Sequence, residues 1–446
     1  MKRAVKQRDL RWSAVASLTV VSVFVLSNAP TPLYVEWQWE WGFTSGMLTI
    51  IFACYMIGLV GTLVVAGRLA DRYGRRVVLV PAMLAAILSG ALFLLAQGVL
   101  WLLVARLLAG VAVGGAVTAG MAAVVDVAPA SRKRAGGLIA SASMVLGAGL
   151  GPMLSGITAK TTATPQLWTF AIVTALGVAA LAVSTRLPLA RTVHIGRAYE
   201  RLLRWPMPPR DRRRELLCGA ATFGPGITAT SFVLSLGPSV LAGPIGVPDP
   251  LIAGAVACAM FLLATGIQFA AGGLTTRSHL ALSSIAAMAS MGMLALAVTL
   301  TPWWPIFLAA ALFAGTAQGL GQLAGLTLIA TRISPNRRAE SNAALNISGY
   351  IPAGVLPVAT GYLADAIGLG NAVFAFAATL GVVALIAIVV VRISSQNEST
   401  QHSLTKEDDK IMQPSPVPCC GTPSTAAVPT SRESGGSRGV GRRDAR

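Results

Sequence analysis

Apolar runs of about 20 residues recur along the chain, and short polar segments separate them. A helix of that length crosses the roughly 30 Å hydrocarbon core of a bilayer. Because lipid offers the backbone no hydrogen-bond partners, helices are the expected form. The pattern therefore predicts an all-α integral membrane protein with twelve transmembrane helices, at residues 12–34, 44–66, 77–97, 101–126, 137–158, 166–187, 215–238, 250–272, 280–300, 305–330, 340–363 and 368–392.

Two of these runs depart from the simple pattern. The seventh contains Gly224, Pro225 and Gly226. We expect one kinked span there, since neighbouring helices satisfy the backbone groups that a proline frees. The first run follows a basic segment, Met1–Arg11, and is itself long enough to span. No small-residue cleavage site follows this apolar run, so we expect no cleavable signal peptide.

The chain has a net charge of +18, and its basic residues are unevenly distributed among the loops. Alternate loops are rich in Arg, whereas the loops between them hold one basic residue, Lys160, with the acids Glu36, Glu40, Asp249 and Asp365. The positive-inside rule then places both termini in the cytoplasm of a multi-pass protein, which we expect in the plasma (inner) membrane. Lipid, not nucleic acid, is the expected partner of the basic loops. A belt of Trp is expected at the outer interface: Trp37, Trp39, Trp41, Trp101, Trp303 and Trp304.

The composition excludes an ordinary soluble domain. Charged residues make up 12% of the chain, against roughly 25% in soluble proteins. The three His residues, His194, His279 and His402, fall in predicted loops or in the tail. The sequence shows no nucleophile constellation, nucleotide-binding loop or metal-ligand spacing. It therefore predicts no enzyme, with no catalytic residue, no metal and no cofactor.

The two halves of the chain repeat each other at a constant offset of 205 residues. Pro152, Ser155 and Gly156 correspond to Pro357, Thr360 and Gly361, and two other places share that register. An even number of spans separates the copies, so they have the same orientation, as in transporters built from two bundles around a central site. The expected domains are an N-terminal six-helix bundle at 1–187, a cytoplasmic linker at 188–214, a C-terminal bundle at 215–392 and a disordered cytoplasmic tail at 393–446.

Residues 67–76 read Gly-Arg-Leu-Ala-Asp-Arg-Tyr-Gly-Arg-Arg between spans two and three. This segment resembles the signature loop of the major facilitator superfamily. The resemblance implies two pseudo-symmetric bundles and a latch, in which Asp71 sits against the positive N-terminus of a helix from the other half. It also implies an acidic partner for the loop arginines at the end of span four. The residues assigned to this gating motif are Gly67, Asp71, Arg72, Gly74, Arg75 and Asp126.

Span four carries Arg106 about a turn and a half below its outer end, followed by Gly110 and Gly114. A charged side chain at that depth is costly, so Arg106 should face a cavity or snorkel to the surface. The segment resembles the span-four motif of the superfamily, whose Arg is linked to proton transfer. Drug–proton antiporters often carry an acid deep in span one or four, which is absent here. Glu36, at the outer edge of span one, is the nearest candidate for proton coupling, or else an interfacial charge.

Span five resembles a motif of superfamily exporters, chiefly drug–proton antiporters. The matching residues are Gly147, Gly151, Pro152 and Gly156, while Ser155 replaces one expected Gly. Proline kinks a helix by removing a backbone donor, and the small residues allow close helix contact. Plain helix packing is the alternative interpretation.

Eight polar residues at membrane depth are candidates for the substrate cavity, or alternatively for hydrogen bonds between helices. They are Asn28, Tyr34, Tyr55, Gln268, Gln318, Gln322, Asn346 and Tyr350. We expect a largely apolar cavity suited to a lipophilic or amphipathic molecule. The resemblance implies a monomeric secondary transporter that exports such a molecule by alternating access driven by the proton gradient, with substrate, protons and lipid as partners. The alternative is a superfamily importer, either a proton symporter or a uniporter.

Overall fold

The computed structural model describes residues 10–189, 213–299, 303–333 and 338–389. Every regular element in those ranges is a helix, and twelve are long and apolar enough to cross a membrane. The predicted linker at 188–214 and tail at 393–446 lie almost entirely outside the described residues. The twelve spanning helices are α1 Leu10–Trp41, α2 Ser45–Tyr73, α3 Arg75–Leu94, α4 Val99–Asp126, α5 Lys133–Thr161, α6 Pro165–Arg186, α7 Arg213–Ser235, α8 Pro250–Ala270, α9 Thr276–Thr299, α10 Trp304–Arg332, α11 Arg338–Ile367 and α12 Leu369–Val389, and a short helix, Gly237–Ala242, follows α7.

Most helix ends lie within a few residues of their predicted positions, and two spans are longer. Helix α1 continues through a 3₁₀ turn at Thr31–Leu33 to Trp41. Helix α2 continues to Tyr73, so the signature segment is mostly helical and only Gly74, at φ 91°, makes the turn. The placement of that segment in a loop was therefore wrong. Helix α7 passes through Pro225, which confirms a single seventh span.

The structure also corrects two placements at the edges of the spans. Trp37 is 2% exposed and stacks between Trp41 and the rings of Phe93 and Phe170, so it belongs to the core and not to an interfacial belt. His279 lies within α9, buried, with its Nε2 2.8 Å from the carbonyl oxygen of Ala271. Both residues lie on helices that extend beyond the apolar runs from which the spans were predicted.

Equivalent glycines pack against equivalent carbonyls in the two halves. Gly110 on α4 lies against the backbone oxygen of Tyr55 on α2, and Gly315 on α10 lies against that of Met260 on α8. Each member of the second pair stands 205 residues after its counterpart in the first. A glycine is required at such contacts because a Cβ would overlap the neighbouring backbone. The repeat seen in the sequence is therefore also a repeat in packing, and the two six-helix bundles are pseudo-symmetric.

The two halves meet mainly along two helix pairs, α5 with α8 and α2 with α11, and the extension of α1 adds a smaller contact with the second half. Gly156 packs against the backbone of Pro250, and its repeat counterpart Gly361 packs against that of Ser45. These contacts lie near one end of the bundles, which carries Glu36, Glu40, Asp249 and Asp365; we call it the acidic end. The opposite end carries Arg68–Arg76 and Arg132–Arg134, and we call it the arginine-rich end.

Candidate functional site

A cavity of about 780 Å³ lies between the two halves. Its wall includes Phe24, Phe52 and Met144 from the first half and Leu234 and Phe261 from the second. It also extends along the helices to residues at the arginine-rich end, such as Gly67, Arg75, Gly137 and Asn342. Contacts between the halves close the acidic end. The cavity is therefore open towards the arginine-rich end.

Arg106 on α4 is the most deeply buried charged residue among the described side chains, at 1% exposure, and it lines the cavity. Its Nε donates a hydrogen bond to the Tyr34 hydroxyl, and its Nη1 donates one to the carbonyl oxygen of Ser27. Its Nη2 has no hydrogen-bond partner among the described residues. An arginine stays charged in proteins, so this guanidinium is a permanent cation facing a largely apolar cavity.

Aromatic rings surround the Arg106 guanidinium. Its Cζ lies 5.2 Å from the centroid of the Tyr34 ring, 5.6 Å from Phe52 and 6.0 Å from each of Tyr55 and Phe93. Ring faces attract a cation, although more weakly than a carboxylate does. The first half therefore positions the charge by aromatic contact and two hydrogen bonds, without an acidic partner among the described side chains.

Seven of the eight predicted cavity residues line the cavity: Asn28, Tyr55, Gln268, Gln318, Gln322, Asn346 and Tyr350. Tyr34 does not, because it is fully buried and its hydroxyl is turned to Arg106. Glu36 lies on the extension of α1 at the acidic end, is exposed, and is likewise not part of the cavity wall. Four of the five predicted residues that line the cavity from the second half carry amides. The Oε1 of one of them, Gln318, is buried without a hydrogen-bond partner among the described residues.

Helix α4 changes geometry beside the cavity. Residues Ala116–Gly120 form a π-helical turn, and Val117 and Thr118 within it line the cavity. Single π turns inside α-helices frequently mark functional sites, since they widen the helix and redirect the side chains. The small residues Gly114 and Gly115 stand immediately before this turn, against Thr62 and Ala82.

Two carboxylate contacts and one neutral hydrogen bond join the halves at the acidic end. In the neutral one, the Ser239 hydroxyl donates to the Oε1 of Gln38 at 2.9 Å. The carboxylate of Asp365, at the end of α11, accepts hydrogen bonds from the backbone N–H groups of Ser45 and Gly46 at the start of α2, each 2.9 Å long. Lys160, at the end of α5, forms an ion pair with Asp249, which caps the start of α8. Hydrogen bonding from Lys160 lowers the pKa of Asp249, so this ion pair persists as the pH falls until that depressed pKa is reached.

The arginine-rich end holds the residues of the gating motif. Arg75 and Asp126 form an ion pair, and the guanidinium of Arg72 lies 5.2 Å from the ring centroid of Tyr73. A Cβ added at Gly67 would have no atom of a neighbouring residue within 4 Å. The side chain of Asp71 lies outside the described part of the structure. The motif therefore stands at the mouth of the cavity, with Arg75 on its rim.

The model of the Major Facilitator Superfamily matches residues 15–301, more than half of the chain. This chain belongs to the major facilitator superfamily. It is a multi-pass membrane protein and a transporter, with a small molecule as its substrate and the lipid bilayer around it. A comparison with curated protein sequences gives no match.

Solved structures of superfamily transporters share its fold. The nucleoside transporter NupG, in a mutant form, superposes with a TM-score of 0.67 at 11% identity, over 85% of this chain and 99% of its own. A bacterial homologue of the human lysosomal transporter Spinster, in an inward-facing and unoccupied conformation, gives a TM-score of 0.65 at 15% identity, over 87% of this chain and 98% of its own. At these identities the likeness concerns the fold alone.

In this superfamily member, the span-five residues serve two interfaces. Gly147 and Gly151 pack against the backbone of Val21 and Val25 on α1, within the first half. The carbonyl of Pro152 lies against Gly254 on α8, and Gly156 lies against Pro250. The motif thus allows α5 to contact its own bundle on one side and the other bundle on the opposite side.

Sequence reasoning missed the contacts at the acidic end, although the repeat contained the signal. Lys160 and Asp365 are separated by the repeat offset of 205 residues, and so are Thr44 and Asp249. Thr44 and Asp249 both cap helices, α2 and α8, with their side chains. Applying the offset to charged and capping residues, as well as to glycines, would have marked these positions as repeat counterparts, although it would not have shown that Lys160 contacts Asp249 or that Asp365 contacts the start of α2.

Proposed function

We propose that this superfamily member exports a small lipophilic or amphipathic molecule by alternating access, driven by the inward proton gradient. The observation that carries the proposal is the cavity between the two bundles, open at one end and closed at the other. A site at the interface of two pivoting repeats is exposed to one side at a time. The two bundles, divided at 188–214, are the moving bodies.

The proposed orientation follows from charge. Short loops rich in Lys and Arg favour the cytoplasm, which places the arginine-rich end and both termini on the cytoplasmic side of the membrane. In that orientation the structure is the inward-facing state, ready to receive a molecule from the cytoplasm. The latch proposed for Asp71 would form in the opposite state, when the arginine-rich end closes around the loop.

The proposed substrate class follows from the cavity wall. Apolar side chains and glycines make up more than half of the lining residues, and amides and hydroxyls distributed among them supply directed contacts. Binding cavities of this composition hold molecules with an apolar body and few polar groups. The apolar majority of the wall favours such a molecule over a sugar or a phosphorylated solute.

Export, as opposed to import, is supported by the resemblance of span five to exporter motifs, and proton coupling by the resemblance around Arg106. Glu36 lies at the acidic end and outside the cavity wall. We therefore propose it as a proton carrier at the acidic end only, and not inside the cavity. We further propose that the protein works as a monomer in the plasma membrane. An importer driven by protons, or a uniporter, is the competing function.

Everted membrane vesicles test the proposal. A panel of lipophilic and amphipathic compounds, with nucleosides included, is added to vesicles acidified inside, and the internal pH is followed with a fluorescent dye. An exporter that exchanges protons releases them when its substrate is added, and a protonophore abolishes the response. Substrate uptake that proceeds equally with and without a gradient contradicts proton coupling. Substrate accumulation in right-side-out vesicles but not in everted ones, which is transport towards the cytoplasm, contradicts export.

A further inference from the structure

We propose that Arg106 binds the carboxylate of an organic monoanion, so that the transported molecule is an amphipathic acid. The inference rests on the proposed function because it names the class of substrate for the same cavity. It stands on the orphaned Nη2 of Arg106 and on the charges of the cavity wall. The cavity itself and its apolar lining do not distinguish acids from neutral or basic molecules.

The charges on the cavity wall have one sign. Arg75 and Arg106 are the only charged residues among its described side chains. Arg75, at the mouth, is already paired with Asp126. Arg106 has no acidic partner among the described side chains, so one positive charge is left over at the inner part of the cavity.

The other acids of the neighbouring helices form no ion pair with Arg106 among the described side chains. Glu36 stands only two residues after Tyr34 on α1, but its side chain is exposed at the acidic end and outside the cavity wall. Asp71 follows Tyr55 on α2, and the 1.5 Å rise per residue separates the two by about 24 Å along the helix axis. On α11, Glu340 precedes Tyr350 by about 15 Å by the same rise. Both acids therefore stand near the arginine-rich end, while Tyr55 lies beside the Arg106 guanidinium.

The geometry of the guanidinium favours a carboxylate. Two of its three nitrogens are engaged, by Tyr34 and Ser27, and Nη2 is left to donate. A buried donor without a partner costs free energy, and a charged one costs more. A carboxylate accepts a charge-assisted hydrogen bond from a guanidinium and carries one negative charge, which balances Arg106. A phosphate monoester would bring up to two charges and leave one unbalanced.

Three probes with one apolar body test the inference: 2-naphthoate, 2-naphthamide and 2-naphthylmethylamine. Binding to the full chain in phosphatidylcholine nanodiscs is measured by equilibrium dialysis at pH 7, with empty nanodiscs subtracted. A hydrogen bond to a charged group predicts that naphthoate binds about ten- to a hundredfold more tightly than naphthamide. The amine should bind more weakly still, because it repels Arg106.

Substitutions locate the preference. Arg106→Gln should remove the advantage of naphthoate over naphthamide, and Arg106→Lys should retain part of it. Arg186→Gln is the matched control, since Arg186 is an exposed cation at the end of α6 and not part of the cavity wall; it should retain the full preference. If Arg106→Gln fails to fold, the three probes on the unaltered protein still decide.

Equal binding of the three probes, preference for the amine, or no binding of naphthoate would overturn the inference. So would a preference that survives in folded Arg106→Gln. A last arm adds phosphatidylglycerol to the nanodiscs: if it displaces naphthoate, the site holds a lipid phosphate, which also overturns the assignment to an organic acid. No proton gradient is present in these measurements, so a failed vesicle experiment would remove the exporter and leave the anion site standing.

Discussion

Arg106 shows how much of a functional residue a sequence can reveal. An isolated Arg inside an apolar span demands a cavity, a partner or access to the surface, and that demand was predictable from cost alone. Its partners were not, because Ser27 contributes a backbone oxygen and Phe52 a ring face, neither of which a sequence marks as polar contacts. Tyr34 was predicted in the cavity wall, but it is buried outside that wall, where its hydroxyl accepts a hydrogen bond from Arg106.

Tyr34→Phe tests that assignment. The change keeps the ring and removes the acceptor of the Arg106 Nε, which leaves a second buried donor unsatisfied. Loss of a partner at a buried polar group costs about 1–3 kcal/mol, so the thermal unfolding midpoint of the purified protein should fall. Tyr73→Phe is the matched control, since Tyr73 is 46% exposed at the arginine-rich end. Equal midpoints for the two variants would show that the hydroxyl contributes no stability.

Asp71→Asn tests the proposed latch. The amide keeps the size of the side chain but loses the negative charge that would face a helix N-terminus in the outward-facing state. Membrane insertion and yield should match the unaltered protein, while transport in vesicles should fall strongly. Glu40→Gln, which removes an exposed acid at the acidic end, is the control for a general loss of charge. Transport by Asp71→Asn at the level of this control would remove the latch role.

Helices were the best predicted elements, because the bilayer sets the length of an apolar run. The errors fall where a helix leaves the hydrocarbon core. Helix α2 runs on through Arg68 and Arg72 to the turn at Gly74, and α11 runs on to Ile367. Charged residues do not end a helix; they end the apolar run. Hydropathy therefore finds the membrane boundary and misses the helical extension beyond it.

Close helix contacts give an element-scale prediction. A methyl group at Gly110 would overlap the backbone of Tyr55, and one at Gly315 would overlap that of Met260. Overpacking of this kind costs about 1–3 kcal/mol, so Gly110→Ala and Gly315→Ala should each lower the thermal midpoint by similar amounts. Gly61→Ala and Gly266→Ala are the controls, because nothing lies within 4 Å of a Cβ at either position. Controls as unstable as the test pair would contradict the repeat in packing.

The whole molecule combines a repeated scaffold with unrepeated charge. The offset of 205 residues recurs in the glycine contacts inside each bundle and between the bundles. Arg106 has Ala311 as its counterpart, and that residue is buried in an apolar core. The two halves thus share the packing that lets them pivot, whereas the unpaired cation belongs to the first half alone. The repeat could be predicted from the sequence, because it appears as a constant offset between matching residues. Whether each end is open or closed could not, because that depends on contacts between the bundles that only the structure shows.

Two of the contacts that close the acidic end involve a carboxylate and are related by the pseudo-symmetry, so their loss should favour the state open at that end. Asp365→Asn weakens the acceptor facing the start of α2, and Asp249→Asn breaks the pair with Lys160. Charges at exposed helix starts contribute about 0.3–1 kcal/mol each, and distant contributions add. The double variant should therefore shift the equilibrium by roughly 0.6–2 kcal/mol, about three- to thirtyfold.

Alkylation measures that shift. Thr49→Cys, introduced after the native cysteines are replaced, places a thiol at a position with 0% exposure beneath Gly361. An impermeant maleimide added from the acidic side should label it slowly in this background and several-fold faster in each single variant, with the fastest labelling in the double variant. Glu40→Gln should leave the rate unchanged, since Glu40 lies at the same end outside both contacts. If the double variant labels no faster than Glu40→Gln, the acidic end is held by apolar packing and the Ser239–Gln38 hydrogen bond, and the two carboxylates have no part in which side of the membrane the cavity faces.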